Sequence, residues 1–216
     1  MTVWLCGYRE WANEIFENFP MGKIINNPDE FEQKLDLIDK KDLIFFIGWS
    51  WIVDDDIVSN YHCICMHPSR LPRYRGGSPL QHQIIAGEDV SAVSLFLMNY
   101  KIDAGKILFQ EDFSLDGTLS EIFERIVEKT SMGINHIIAA YQQNHNLEGV
   151  VQDSSKATYF RRRKPHMSEI TLDDINTCTA KQIYDKIRAL GDPYPNAYIK
   201  CADGKNLYIK EALYEE

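Results

Sequence analysis

No apolar run in this sequence is longer than a strand. The longest, Asp42-Leu43-Ile44-Phe45-Phe46-Ile47, falls far short of the roughly 20 residues that a membrane-spanning helix needs, so no membrane partner is expected. Cations are also in deficit. Lys and Arg total 23 against 32 Asp and Glu, a formal net charge of -9. Such a chain repels a phosphate backbone, which argues against nucleic acid as a general partner. The five cysteines (Cys6, Cys63, Cys65, Cys178, Cys201) are odd in number and include no CxxC pair, which fits a reducing cytoplasm. Residues 1–6 lack the basic start of a signal peptide. Internal repeats and low-complexity segments are absent too. What remains is 216 residues, 44% hydrophobic and 12% aromatic, which is material for one core with a small appendage. The class expected is a cytoplasmic enzyme.

The first half alternates short apolar runs with helical stretches, the pattern of an α/β fold with a mostly parallel sheet. Strands are predicted at Thr2–Cys6, Lys23–Ile25, Leu43–Ile47, Tyr61–Met66, Val93–Met98 and Lys106–Phe113. Helices are predicted at Glu10–Phe19, Glu30–Ile38 and Asp54–Ser59, and a long one begins at Thr118. Thr118-Leu119-Ser120-Glu121 reads as a capping box, and Ser78-Pro79-Leu80-Gln81 as a second, opening another helix. Composition shifts after Glu148, so residues 1–150 are taken as the main domain and 151–216 as a linker, a helix at Thr179–Leu190 and a hairpin around Asp203-Gly204.

The chemistry-bearing residues crowd into the stretch from Cys63 to Pro79. Strand alternation places Cys63, Cys65 and His67 on one face, at a strand's C-terminal end, where open α/β sheets bind ligands. Asp103, in the turn Lys101-Ile102-Asp103-Ala104-Gly105, lies thirty-six residues beyond His67. A His and an Asp on neighbouring strand ends can form an acid–base couple. The set His62, Cys63, Cys65 and His67 suggests metal ligands, but one straight strand cannot close a tetrahedron, and no metal is expected.

The run His67-Pro68-Ser69-Arg70-Leu71-Pro72-Arg73-Tyr74-Arg75-Gly76, then Ser78-Pro79-Leu80-Gln81 and Asp103-Ala104-Gly105, resembles the folate-dependent formyltransferases. The likeness is dense over residues 43–115 and resumes at residues 159–165 and 187–198. It implies a Rossmann-like fold, 10-formyltetrahydrofolate as formyl donor, and a catalytic trio in which Asn and His form an Asn-x-His pattern. By that match His67 is the His, Asp103 is the Asp, and Cys65 occupies the Asn position. The family reading has a substrate amine attack the formyl carbon while Asn and protonated His steady the oxyanion and Asp holds His. A thiol is a weak donor beside an amide.

The same match implies folate contacts at Trp51, Ile52, Val53, at Ser69, Arg70, Leu71, Pro72, and at Asn99, Tyr100, Lys101, Ile102. Arg73, Arg75, Gly76 and Gly77, beside a helix start, are assigned to the substrate, with Arg70, Arg73 and Arg75 preferred over the Arg161–Lys164 run for phosphate groups. The resemblance favours the short amino-sugar N-formyltransferases. The acceptor would be a nucleotide-linked amino sugar, since the sequence stops eighteen residues after Tyr198, before the further domain of the tRNA enzymes. Alternatives are a formyltetrahydrofolate hydrolase, a methionyl-tRNA formyltransferase-like enzyme, or a folate-binding module silenced at Cys65. The tyrosines Tyr194, Tyr198, Tyr208 and Tyr214 suit a homodimer contact.

Overall fold

A computed structural model describes residues 1–215. Strands β1 (Val3–Cys6), β2 (Lys23–Ile25), β3 (Leu43–Phe46) and β4 (His62–His67) pair in parallel, separated by helices α1 (Glu10–Glu17), α2 (Pro28–Lys34) and α3 (Asp55–Asn60). A two-residue strand β5 (Arg75–Gly76) and helix α4 (Pro79–Ile85) follow. Strands β6 (Val90–Leu97) and β7 (Ile107–Ser114) then extend the sheet antiparallel, giving the order β2-β1-β3-β4-β6-β7. The 26-residue helix α5 (Leu119–Asn144) starts at the predicted capping box, with both reciprocal bonds of Thr118 and Glu121 formed. The fold is therefore α/β with a mostly parallel centre, as the periodicity predicts. No helix among the described residues is long and apolar enough to cross a membrane.

Side-chain alternation builds the core on both sheet faces. Leu5, Leu43, Phe45, Ile64 and Met66 point into one layer, against Ala12, Ile15 and Phe16 of α1 and Ile122, Ile126, Ile134 and Ile137 of α5. Trp4, Cys6, Ile44, Phe46 and Cys63 point into the other, with Phe31 and Ile57 from α2 and α3. Cys65 packs on this second layer.

Beyond the long helix the chain returns to the sheet. Strand β8 (Tyr159–Phe160) pairs in parallel with β5, so the loop after His67 is held by residues more than eighty positions later. Helices α6 (Leu172–Thr177) and α7 (Ala180–Arg188) and the antiparallel hairpin β9 (Ala197–Lys200)–β10 (Asn206–Ile209) complete the described chain, near the predicted boundaries. They enclose a small cluster of Ile170, Ile187, Leu190 and Ala197, while Ala189 reaches the main core.

The second predicted capping box is absent. Ser78 precedes α4 in a left-handed conformation (φ 54) and makes no side-chain cap bond; its hydroxyl accepts instead from the Arg163 N–H at 3.1 Å. Gln81 is buried. The docking of the 160–164 segment onto this turn outweighs the local helix signal.

Candidate active site

A cleft of about 670 Å³ opens over the C-terminal ends of the parallel strands. Loop residues after β1 and β3, the end of β4, the start of α4, the 98–103 connection and the 162–164 segment contribute to its lining. His67, the last residue of β4, is only 6% exposed yet lines it. The imidazole is held by a hydrogen bond at one nitrogen and faces a carboxylate with the other. Nε2 lies 2.8 Å from the Tyr74 carbonyl oxygen, and because a carbonyl only accepts, Nε2 carries a proton. Nδ1 faces Asp103 Oδ2 at 3.6 Å, a contact longer than a hydrogen bond.

Asp103 reaches this position differently from the expected meeting of strand ends. Strand β6 runs antiparallel to β4, so its final residue Leu97 pairs with Ile64, three residues short of His67. The 98–106 connection carries the carboxylate back. Asp103 sits at φ 51, a conformation Asp tolerates better than most residues, and its Oδ2 accepts from the Gly76 N–H at 2.7 Å. Gly105 makes the turn pass close under β6: a Cβ there would stand 1.6 Å from the Leu97 carbonyl oxygen.

Cys65 lies two residues before His67 and lines the cleft. Burial pushes its thiol pKa well up, and Asp103 and Cys63 push it further. At neutral pH it is a neutral thiol, which removes the thiolate that covalent catalysis needs. Its Sγ sits 3.7 Å from the Met66 carbonyl oxygen, its one hydrogen-bond partner among the described residues.

Trp51, Ile52, Val53, Asn99, Tyr100, Lys101, Ile102, Gly76 and Gly77 all line the cleft. Ile52 is 93% exposed and Ile102 67%, an apolar mouth suited to a flat ring. The indole N–H of Trp49, also in the lining, is buried and has no partner. An apolar mouth beside an unmatched donor fits a polar heterocycle such as a pterin.

Six assigned residues lie outside the lining. Ser69, Arg70, Leu71 and Pro72 form a loop pinned to the sheet: Ser94 Oγ donates to the Ser69 carbonyl at 2.6 Å and Gln110 Nε2 to the Leu71 carbonyl at 3.2 Å. Ser69 and Leu71 are buried, and Arg70 pairs with Asp112. Arg73 pairs with Glu88, away from the cleft. Arg75, 1% exposed, is spent on Gln152 and the Tyr159 hydroxyl. These arginines organise the loop and do not reach the cleft. The preference between basic groups is thereby reversed, because Arg162, Arg163 and Lys164 line it instead.

Two contributors escaped the sequence reading. Gln152 donates to the carbonyl oxygens of Asp103 at 3.0 Å and Gly105 at 2.7 Å, fixing the carboxylate's turn. Arg9, after β1, lines the cleft along with Tyr194, whose hydroxyl pKa is pushed up to about 12 by burial. Neither stands in a local pattern that marks it.

Comparison with known proteins agrees with this geometry. The formyl transferase model matches residues 21–138, and the formyl transferase C-terminal domain model matches 174–216. The chain is 33% identical over 189 residues to methionyl-tRNA formyltransferase of Rickettsia canadensis (strain McKiel), covering 85% of this chain and 59% of that relative's length. The structure of methionyl-tRNA formyltransferase from Clostridium thermocellum superposes with a TM-score of 0.81 at 32% identity, over 97% of both chains. A sugar N-formyltransferase from Shewanella sp. superposes at 0.74 and 21% identity, over 100% of this chain and 99% of the other, a likeness of fold. With the larger family model covering more than half of its residues, this chain belongs to the formyl transferase family.

Proposed function

We propose that the protein transfers a formyl group from 10-formyltetrahydrofolate to the amine of a small acceptor, a nucleotide-linked amino sugar. The observation that carries this reading is the His67–Asp103 couple facing a cleft with an apolar mouth. The donor, bound at that mouth near Trp49, Trp51 and Val53, supplies the formyl group. His67 Nδ1 is the site of proton exchange, since Nε2 is committed to the Tyr74 carbonyl. Asp103 holds His67 and helps move the proton that the amine loses. Cys65 contributes a neutral, weak donor and no covalent step. Residues 1–150 act as the catalytic unit in this reading, and residues 151–216 supply part of one cleft wall.

The acceptor divides two readings. Identity of 32–33% to methionyl-tRNA formyltransferases favours tRNA. The net charge of -9 favours a small acceptor, because a long polyanion meets repulsion outside the cleft. The deciding experiment follows conversion of 10-formyltetrahydrofolate to tetrahydrofolate with nucleotide-linked amino sugars, with methionyl-tRNA, and with no acceptor, for the native protein and His67→Ala. Sugar-dependent turnover lost in the variant is the expected result. Dependence on tRNA selects the second reading, and turnover without acceptor identifies a hydrolase.

A further inference from the structure

The carbonyl that holds His67 belongs to a residue in a costly conformation. Tyr74 has φ 59, in the left-handed region, and its carbonyl oxygen lies 2.8 Å from His67 Nε2. Bulky side chains avoid that region because Cβ crowds the following carbonyl oxygen. Such a backbone persists only where the surrounding contacts over-determine it. Relaxed to an ordinary conformation, Tyr74 would turn its peptide plane and carry the oxygen away from Nε2.

The contacts that hold Tyr74 come from residues outside the cleft lining. Its N–H donates to the Thr158 hydroxyl at 2.8 Å. Its ring stacks on Phe160, with centroids 4.9 Å apart and planes 14° from parallel, and the Arg73 guanidinium covers the ring at 5.3 Å. Its hydroxyl donates to Glu88 Oε1 at 2.8 Å, and the same oxygen pairs with Arg73. Burial and the Glu88 carboxylate push the phenol pKa above its usual value, so the hydroxyl keeps the proton it donates.

Glu88 is itself placed by the end of α4. Gly87, at φ 75, ends the helix, its N–H donating to the Ile84 carbonyl at 3.0 Å. The Glu88 N–H then donates to the Gln83 carbonyl at 3.1 Å, which completes a Schellman turn. The carboxylate thereby stands in a second cavity, of about 340 Å³, with Arg73 and Tyr74. A chain of fixed groups runs from that cavity through Tyr74 to the imidazole.

We propose that Glu88 and the Tyr74 hydroxyl are positioning residues for formyl transfer: from behind the cleft they fix the carbonyl that keeps a proton on His67 Nε2 and leaves Nδ1 facing Asp103. Neither side chain lines the cleft, so both act through His67. The inference rests on the formyl-transfer reading for its effect on turnover; the hold on the imidazole stands without it.

The test combines long-range ¹H–¹⁵N histidine spectra of the free protein at alkaline pH with steady-state formyl transfer, for the native protein, Glu88→Ala, Glu88→Gln and Tyr74→Phe. Native His67 should carry its proton on Nε2. Glu88→Ala and Tyr74→Phe should admit the Nδ1–H tautomer and lower kcat by about 10–10²-fold, with both KM values kept within about twofold. Glu88→Gln still offers an oxygen to the hydroxyl and should keep the native tautomer and most of kcat. The double variant of Glu88→Ala and Tyr74→Phe should be no slower than the worse single one, because the two changes break one bond. An unmixed tautomer and native kcat in both single variants, even with a lowered unfolding midpoint, would leave only a structural role and overturn the proposal. A native His67 protonated on Nδ1 would overturn it too. Mixed tautomers in the variants of a protein that formylates no acceptor would sink the transfer reading and leave the hold on His67 standing.

Discussion

The buried guanidinium of Arg75 grips the carboxamide oxygen of Gln152 through two hydrogen bonds, of 3.2 Å from Nε and 2.7 Å from Nη2. The amide nitrogen of Gln152 then holds the turn that presents Asp103. An arginine that reads as a ligand for substrate is thus a support for the turn that carries the Asp103 carboxylate, acting through Gln152. The cation has no carboxylate partner, so it depends on Gln152 and the Tyr159 hydroxyl for its compensation.

Gln152→Ala strands that buried charge and frees two carbonyl groups. A loss of about 3 kcal/mol is expected in urea unfolding, with reduced turnover. Gln152→Glu restores an acceptor for Arg75 but not the two donated bonds. Its stability should recover in part while turnover stays low. Equal recovery of both would show that Gln152 serves stability alone.

Asp103→Asn separates charge from backbone geometry. Asparagine accepts the same positive φ, and its amide oxygen can still receive the Gly76 N–H. The unfolding midpoint should barely move, whereas formyl transfer should fall by about 10²–10⁴. Turnover close to the native value would remove Asp103 from the proposed chemistry.

Cysteine labelling reports on the cleft floor. Burial pushes Cys65 far up and Cys63 up to about 12, so neither offers a thiolate near neutrality. Iodoacetamide at pH 8, followed by peptide mass analysis, should modify exposed Cys201 and spare Cys65. Cys65→Ala should leave transfer within a few-fold of native, and Cys65→Asn should raise it by supplying an amide donor. Rapid labelling of Cys65 would contradict the neutral-thiol assignment.

Two histidines tie stability to pH. Burial lowers the pKa of His62, which packs edge-on to Tyr141, and burial with the Arg163 charge lowers that of His82, partly offset by its contact with the Arg161 carbonyl. Between each lowered folded value and the unfolded value of about 6.5, the unfolded chain binds more protons. Stability should therefore fall as pH drops below about 6.5, and His62→Phe should flatten the slope in denaturant titrations from pH 7 to pH 5. An unchanged slope would show that His62 stays exposed to water in the folded state.

The fold was legible wherever a residue's role follows from its neighbours in sequence. Strands β1, β3 and β4 announce themselves through apolar runs, and the Thr118–Glu121 box marks α5 to the residue. His67 and Asp103 stand out because a dense motif surrounds them. The arginines of the same motif were misplaced, since only the tertiary fold reveals that Glu88, Asp112 and Gln152 wait for their side chains. Nothing in Val150-Val151-Gln152-Asp153 marks Gln152 either. Its partners are 47 and 77 residues distant, and no local periodicity encodes such separations.

The pairing of β5 with β8 also orders events during synthesis. The N–H groups of Arg75 and Gly77 donate to the carbonyls of Thr158 and Phe160, and that of Tyr74 to the Thr158 hydroxyl. A nascent chain that has emerged only through α5 can assemble its sheet, but its histidine loop still lacks these acceptors. Closing a contact across more than eighty residues comes late and slowly compared with local helix formation. The ribosome must therefore deliver residue 160 before the cleft can acquire its full shape, which makes the finished cleft one of the last features the chain gains.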